Sequence, residues 1–396
     1  MKSGMTHAMG WAVLAMAAAL AGCNDPPAGA PPVAAVPHVQ TAVPRVVAVR
    51  PAKPKALGPV TPAVIPISAD EKEPEIRIRL GDEMDRPVTP AGKYPGRIDI
   101  YKMPDGKYVA INSVGLESYL PSVLAHEIGY AGWDIETYKA QAVASRTFAL
   151  FQMLSGSADK LWDVTNSTSS QVYGSVSKDM APALAKAQQA VTATRGFVLT
   201  ATAGGLSGIF CTYFSASNGG ASADVFEARG DPAIPNLPAQ VTGDFENISP
   251  LAHFAWPKVT VSKADITRAI HAWGERNEDA TLTGLGAIRS VAVARRNATT
   301  NRPVEFALTD DRGQTAGIRA EEFRLALLDD PAAPKPYSSF FDIQDGGSVI
   351  YLVNGHGYGH GIGMSQWGAQ ALALRGVKAG PILGYYYPHS TLTRAW

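Results

Sequence analysis

One run of fifteen residues constrains the fold more than any other stretch: Gly355-His356-Gly357-Tyr358-Gly359-His360-Gly361-Ile362-Gly363-Met364-Ser365-Gln366-Trp367-Gly368-Ala369. Its six glycines work against a long helix or a regular strand, because glycine loses the most backbone freedom on ordering. Such a run belongs where a ligand or another backbone comes close. His356 and His360 stand four apart, but Gly357 and Gly359 argue against a helix that presents both to a metal ion, and no HExxH is present. The phosphate-cradling pattern GxxxxGKS/T is missing, and GMSQW departs from the GxSxG nucleophile elbow. What remains is a glycine-rich approach to a helix over about 365–375. Ser365 and Gln366 lie in its first turn, and the arrangement reads as a polar binding floor.

The start of the chain reads as targeting. Lys2 precedes an apolar, alanine-rich run over 8–20. That run is shorter than the roughly 20 residues a membrane span needs, but it suits a secretory signal. It ends in Leu20-Ala21-Gly22-Cys23, which resembles a bacterial lipobox. The expectation is a signal peptide over 1–22 and a lipid on Cys23; a plain signal peptide with an incidental cysteine is the alternative. No second run of spanning length follows, so the mature body is expected to be anchored, not inserted. Residues 23–70 are rich in Pro, Ala and Val, cannot pack a core, and read as a disordered, extended tether. The one other cysteine, Cys211, follows Ile209-Phe210 and reads as a small buried hydrophobe. Two cysteines rule out a four-thiolate zinc site. Basic and acidic residues number 35 each, so the charge balance gives no footprint for nucleic acid and suits a neutral, polysaccharide-like partner.

The folded body is expected over 75–396, in the α+β class: one elaborated domain of mixed sheet and helices. Ile76-Arg77-Ile78-Arg79-Leu80 alternates as a half-buried strand. Arg97–Tyr101 and Tyr108–Ile111 flank a Pro104-Asp105-Gly106 turn and predict a hairpin. Leu116, Tyr119, Leu120, Val123 and Leu124 predict a helix reaching Glu127, with Pro121 near its N-terminal turn. Asp134 can cap a second helix, and Pro182 can start a third over 183–194. Strands are expected over 197–199 and 209–214 around Gly204-Gly205. Prolines punctuate 229–257, and about 229–345 reads as an inserted or second subdomain, with strands near 259–261, 288–295, 304–309 and 317–318 and a helix over 263–273. A strand over 349–353 leads into the glycine run.

Several residue types could carry chemistry. Glu127 follows an apolar helix face just before Gly129; partial desolvation there would raise its pKa toward that of a general acid. It could equally be a solvent-facing glutamate at a helix end. Gln141 and Arg146 sit among alanines that allow another element to approach, or else on an exposed polar face. Ser215 and Ser217, in Ser215-Ala216-Ser217-Asn218-Gly219-Gly220, and Gln171 and Tyr173, in Ser170-Gln171-Val172-Tyr173-Gly174, suit hydrogen bonding to a sugar or a bare turn equally well.

Taken in order, these stretches resemble the stage II sporulation protein D and amidase-enhancer family. The resemblance rests on Leu116-Glu117-x-Tyr119-Leu120, on Glu127, on Glu136-x3-Ala140-Gln141-Ala142-x-Ala144-x-Arg146-Thr147, and on the 170–174 and 213–220 stretches. Gly359–Ala369 and Tyr386-Tyr387-Pro388 complete it, and together they cover about 75–396. It implies a peptidoglycan lytic transglycosylase acting on glycan strands stripped of stem peptides, with Glu127 as the catalytic acid. It also implies substrate contacts from Gln141, Arg146, Gln171, Tyr173, Ser215, Ser217, His360, Ser365 and Gln366, and Trp367 as packing or a sugar platform. The alternative it offers is a non-catalytic wall-binding lipoprotein that stimulates a cell-wall amidase. A structural lipoprotein spacing membrane from wall is a third reading. Ile128-Gly129 replaces the Met-Pro common after the glutamate. The His and Cys cluster by which some members bind zinc is missing, so neither a metal nor a cofactor is expected. The expected location is the cell envelope, with the body tethered through Cys23.

Overall fold

The computed structural model describes residues 63–67, 72–90, 94–155, 160–167, 170–249, 251 and 253–396. The chain divides into Met1–Val47 and Ala48–Trp396, and all described residues belong to the second unit. The expected signal peptide, Cys23 and most of the tether lie outside the described residues. The tether expectation needs one correction: Ile65 pairs with Ile209 through reciprocal backbone hydrogen bonds of 2.8 and 2.9 Å, and Val64 is buried. Ordered packing thus begins before Glu75.

The architecture is a mixed α and β fold, as the class predicts. Alternating burial along Glu75–Met84 places Ile76, Ile78 and Leu80 inward. This strand pairs antiparallel with Tyr108–Gly115, which pairs in turn with Arg97–Lys102. The chain then passes directly into the helix Leu116–Glu127, and the helix Ile135–Leu154 follows, its Asp134 cap accepting the Glu136 N–H at 2.8 Å. The predicted Pro-started helix is Ala181–Ala193. Pro121 is six residues into its helix, in the interior and not at the first turn; the helix persists because its apolar face is packed. Leu116, Tyr119, Leu120, Val123 and Leu124 have no measurable exposure and join the strand residues in one core.

Residues 209–214 do not form the single strand expected of them. Leu206–Ile209 closes a hairpin with Phe197–Ala203, whereas Phe214–Ser215 leaves it to pair in parallel with Met364–Ser365. That change of partner brings the glycine run onto the 213–220 loop. Thr391–Arg394 covers the other edge of the hairpin.

A second hydrophobic cluster is built from residues between Trp256 and Leu352. Its strands include Ile288–Arg296, Pro303–Asp310 and Thr315–Arg319 as well as Val259–Ser262, Phe340–Asp345 and Val349–His356, packed by the helices Lys263–Arg276 and Ala320–Asp329. The segment expected as a proline-punctuated linker is firmly packed: Ile234, Asn236, Leu237 and Glu246 are all buried. No helix among the described residues is long and apolar enough to cross a membrane.

Candidate functional site

The site is built around the end of the helix Leu116–Glu127. That helix starts without a cap from its own N-cap residue, Gly115; instead Glu73 accepts the Glu117 N–H at 3.1 Å, satisfying one of the first-turn donors. At the other end Glu127 is partly exposed and its carboxylate is cradled. The Val172 N–H donates to it at 2.8 Å, and the Gln366 side chain hydrogen-bonds to it. Burial is the dominant influence on its charge and outweighs both hydrogen bonds, raising the pKa from 4.5 to about 7.

Three elements distant in sequence hold this cradle. The 170–174 loop is fixed from beneath: the Gln171 oxygen accepts from the Tyr119 hydroxyl at 3.2 Å and its amide donates to the Ser145 carbonyl at 3.3 Å. The Tyr173 hydroxyl donates to Asn112 at 2.7 Å, and Ser122 donates to the Gly174 carbonyl at 2.7 Å. The helix Gln366–Leu374 delivers Gln366, whose amide also reaches Gln141 at 3.5 Å; Gln141 in turn donates to Ser145 at 3.0 Å. Glu127, Gln366, Gln141, Ser145, Gln171 and Tyr119 therefore make one continuous polar network. Aromatic rings flank it. Tyr130 stacks on Trp133 with centroids 5.4 Å apart, and Trp367 packs against Trp133 at 4.7 Å.

The other expected contact residues have different placements. Arg146 has no solvent exposure; its guanidinium is paired with Glu117 at 2.7 Å and with the Phe197 carbonyl at 3.1 Å. It is an internal ion-pair partner and offers no face to a ligand. Gln171 and Tyr173 are buried supports of the loop that touches Glu127, not surface groups. Ser215 donates to Asn218 at 3.3 Å, and Ser217 exchanges backbone hydrogen bonds of 2.8 and 3.2 Å with Tyr358. Both serines are buried. Ser365 caps its helix by accepting the Gly368 N–H at 3.1 Å. His360 belongs to another group of charges, facing Glu321, Arg229, Arg324 and Arg302, and burial pushes its pKa down to about 3. Its Nδ1 accepts the Ile362 N–H at 2.9 Å, so the neutral ring carries its proton on Nε2. Of the polar candidates in the glycine run, Gln366 is the one that reaches Glu127.

The glycines serve a second backbone. A Cβ at Gly363, which has φ +67°, would lie 2.2 Å from the Tyr213 carbonyl oxygen, and one at Gly219 would lie 2.4 Å from the Gly357 nitrogen. The two loops approach so closely that a side chain at either position has no room.

Sequence reasoning missed Glu246. It has no exposure, lies in a short 3-10 turn, and accepts from the Asn218 and Gly220 N–H groups at 3.2 and 3.1 Å, from Thr242 at 2.5 Å, and from the Ser365 hydroxyl. It thus ties the 217–220 loop to the residue that starts the Gln366 helix. No motif marks it; only the packing of a segment read as linker reveals it. Glu246→Gln would turn an N–H donor toward groups that themselves donate. Urea unfolding should show a loss of about 2 kcal/mol, in the range for a hydrogen-bonded charged group. An unchanged midpoint would mean that the carboxylate is not holding the loop.

No group of three or more His, Cys, Asp or Glu side chains is gathered as a metal would require among the described residues. The fold and site define a mixed α and β protein with a cradled carboxylic acid, Glu127, whose pKa lies near neutrality. Residues 104–200 match the family model described as Stage II sporulation protein, and residues 240–363 match one described as a domain of unknown function. The first of these matches covers about a quarter of the chain and is a likeness to that family over those residues. It is 27% identical over 307 residues to a protein named Amidase enhancer from Bacillus subtilis, covering 69% of this chain and 40% of that relative. This chain thus spans less than half the length of that protein. It is 28% identical over 296 residues to the Stage II sporulation protein D of the same organism, covering 72% of this chain and 76% of the relative. An uncharacterised protein of Brachyspira hyodysenteriae is 29% identical over 284 residues, covering 70% and 67%.

Proposed function

We propose that this protein is a peptidoglycan lytic transglycosylase that cleaves the bond between N-acetylmuramic acid and N-acetylglucosamine in glycan strands, with Glu127 as acid and then base. The observation that carries this reading is the Glu127 carboxyl, cradled by Val172 and Gln366 with a pKa of about 7. A group half-protonated at neutral pH can donate and accept in one turnover.

The chemistry balances with one carboxyl. The bond from the muramyl anomeric carbon to the bridging oxygen breaks, and that oxygen keeps the electron pair and takes the Glu127 proton. The muramyl 6-hydroxyl oxygen bonds to the oxocarbenium-like carbon, and its proton passes to the Glu127 carboxylate. Glu127 ends protonated, as it began, and the product carries a 1,6-anhydro end. Because no water is activated, the second carboxylate of an ordinary glycosidase has no task. Gln366 and the Val172 N–H orient the acid, and Gln141 orients Gln366. The family resemblance supports the same assignment, and the lipobox-like Leu20-Ala21-Gly22-Cys23 supports placement in the cell envelope through a lipid on Cys23.

The relative named Amidase enhancer favours a second reading: a wall-binding protein without catalysis that stimulates a cell-wall amidase. Incubation with amidase-treated glycan strands separates the two. New 1,6-anhydromuramyl ends from this protein alone are expected. No such ends, with faster amidase turnover when both proteins are present, would replace the first reading with the second.

A further inference from the structure

Aromatic rings continue outward from Glu127 in a chain that the proposed chemistry does not use. Tyr130 is three residues beyond the acid and packs 5.5 Å from Trp367. Trp367 donates its indole N–H to His253 Nδ1 at 2.9 Å. His253 packs edge-on against Tyr358 at 4.6 Å, Tyr358 stacks on Tyr337 at 5.5 Å and 18°, and Tyr337 rests on Trp256 at 5.7 Å. Exposure is concentrated in one pair: Trp133, Trp367 and Trp256 are buried, while Tyr358 and Tyr337 are 38% and 39% exposed.

The outer pair is rigidly mounted. Tyr358 exchanges backbone hydrogen bonds with Ser217, and the Gly359 N–H donates to the Tyr337 carbonyl at 2.8 Å. Large exposed rings whose backbones are pinned on both sides lose little freedom on binding. A hexose presents an apolar face of C–H groups and a rim of hydroxyls, which matches a ring face with a phenol at its edge. Each step of the line is comparable to one sugar residue, and the line is continuous with the Glu127 site.

We propose that Tyr358 and Tyr337 form a distal subsite for the same glycan strand, gripping sugars well removed from the bond at Glu127. The second hydrophobic cluster then acts as the part of the protein that reads strand length, since Tyr337 and its Trp256 support both come from that region. This rests on the glycan reading of the Glu127 site and extends it to a surface that does no chemistry.

The test is binding of peptide-free glycan strands, graded by length, to the full chain carrying Glu127→Gln so that nothing is cut. Adding Tyr337→Ala and Tyr358→Ala should weaken binding of long strands about tenfold, about 1.4 kcal/mol, and leave tetrasaccharide binding unchanged. Tyr358→Phe, which keeps the ring and loses only the phenol, should weaken long-strand binding less than Tyr358→Ala. The single Tyr337→Ser and Tyr358→Ser variants carry the same test should the double variant fail to fold. Equal losses on short and long strands, or no loss on either, would overturn the subsite, as would a parent that binds no glycan. If the length effect appears but the protein with Glu127 intact yields no anhydro ends, the subsite stands and the enzymatic reading falls.

Discussion

Glu127→Gln should lower the rate of anhydromuramyl end formation by at least about a hundredfold, the smallest usual contribution of a positioned general acid. Glutamine keeps the shape and can still accept the Val172 N–H, so the loss isolates the proton. The wild-type rate of protonating the leaving oxygen should fall as pH rises through about 7, where the carboxyl ionises. The same shift has a consequence for stability with a definite sign. The folded chain holds the Glu127 proton up to about pH 7 and the unfolded chain releases it near 4.5. Stability is therefore lost as pH rises across that window. Above it the ionised carboxylate costs on the order of 3 kcal/mol. Glu127→Gln should consequently melt higher than wild type at pH 8 and at the same temperature at pH 4. An equal change at both pH values would remove the raised pKa and, with it, the argument for the acid.

Arg146→Ala is expected to be the most destabilising substitution in the molecule, by about 3–5 kcal/mol, the range for breaking one side of a buried ion pair. Glu117 would keep the Gly196 N–H at 2.9 Å and the Trp396 indole at 3.1 Å but lose two charged contacts, of 3.1 and 2.7 Å. Burial lowers the Arg146 pKa despite this partner, so desolvation outweighs the attraction, and the pair specifies geometry more than it adds stability. The double variant Glu117→Leu with Arg146→Met should then recover most of the loss. Urea unfolding of wild type, single and double variants measures this directly. A double variant as unstable as Arg146→Ala would mean that the pair itself is strongly stabilising.

Much of the frame was legible in the sequence, because its local signals agreed with its tertiary demands. Alternation at Ile76, Ile78 and Leu80, the apolar spacing from Leu116 to Leu124, and the Asp134 cap each report a pattern of burial that the fold honours. Residues 209–214 misled because a continuous apolar run does not reveal which partner each half pairs with. Glu246 and the 229–257 segment misled because prolines mark irregular backbone, and irregular backbone can be as well packed as a strand. At the site, residue type alone could not separate the group that faces outward from the groups that support it. Gln141, Gln171 and Gln366 are chemically alike, yet only Gln366 touches Glu127. Arg146 drew a binding role from its place in the family motif, although its helix turns it wholly inward. The glycine run gave the correct physical demand, close approach, with a neighbouring loop as the occupant.

Cys211 offers a use unrelated to any of these roles. It is a free, buried thiol whose pKa burial pushes up to about 12, so the folded state presents almost no thiolate to a labelling reagent. Alkylation at that position must wait for the surrounding core to open. The rate at which the peptide carrying Cys211 gains mass is therefore a clock for spontaneous opening of the native state, readable without denaturant, and it sits one residue from a core phenylalanine. The molecule carries its own gauge of how often it comes apart.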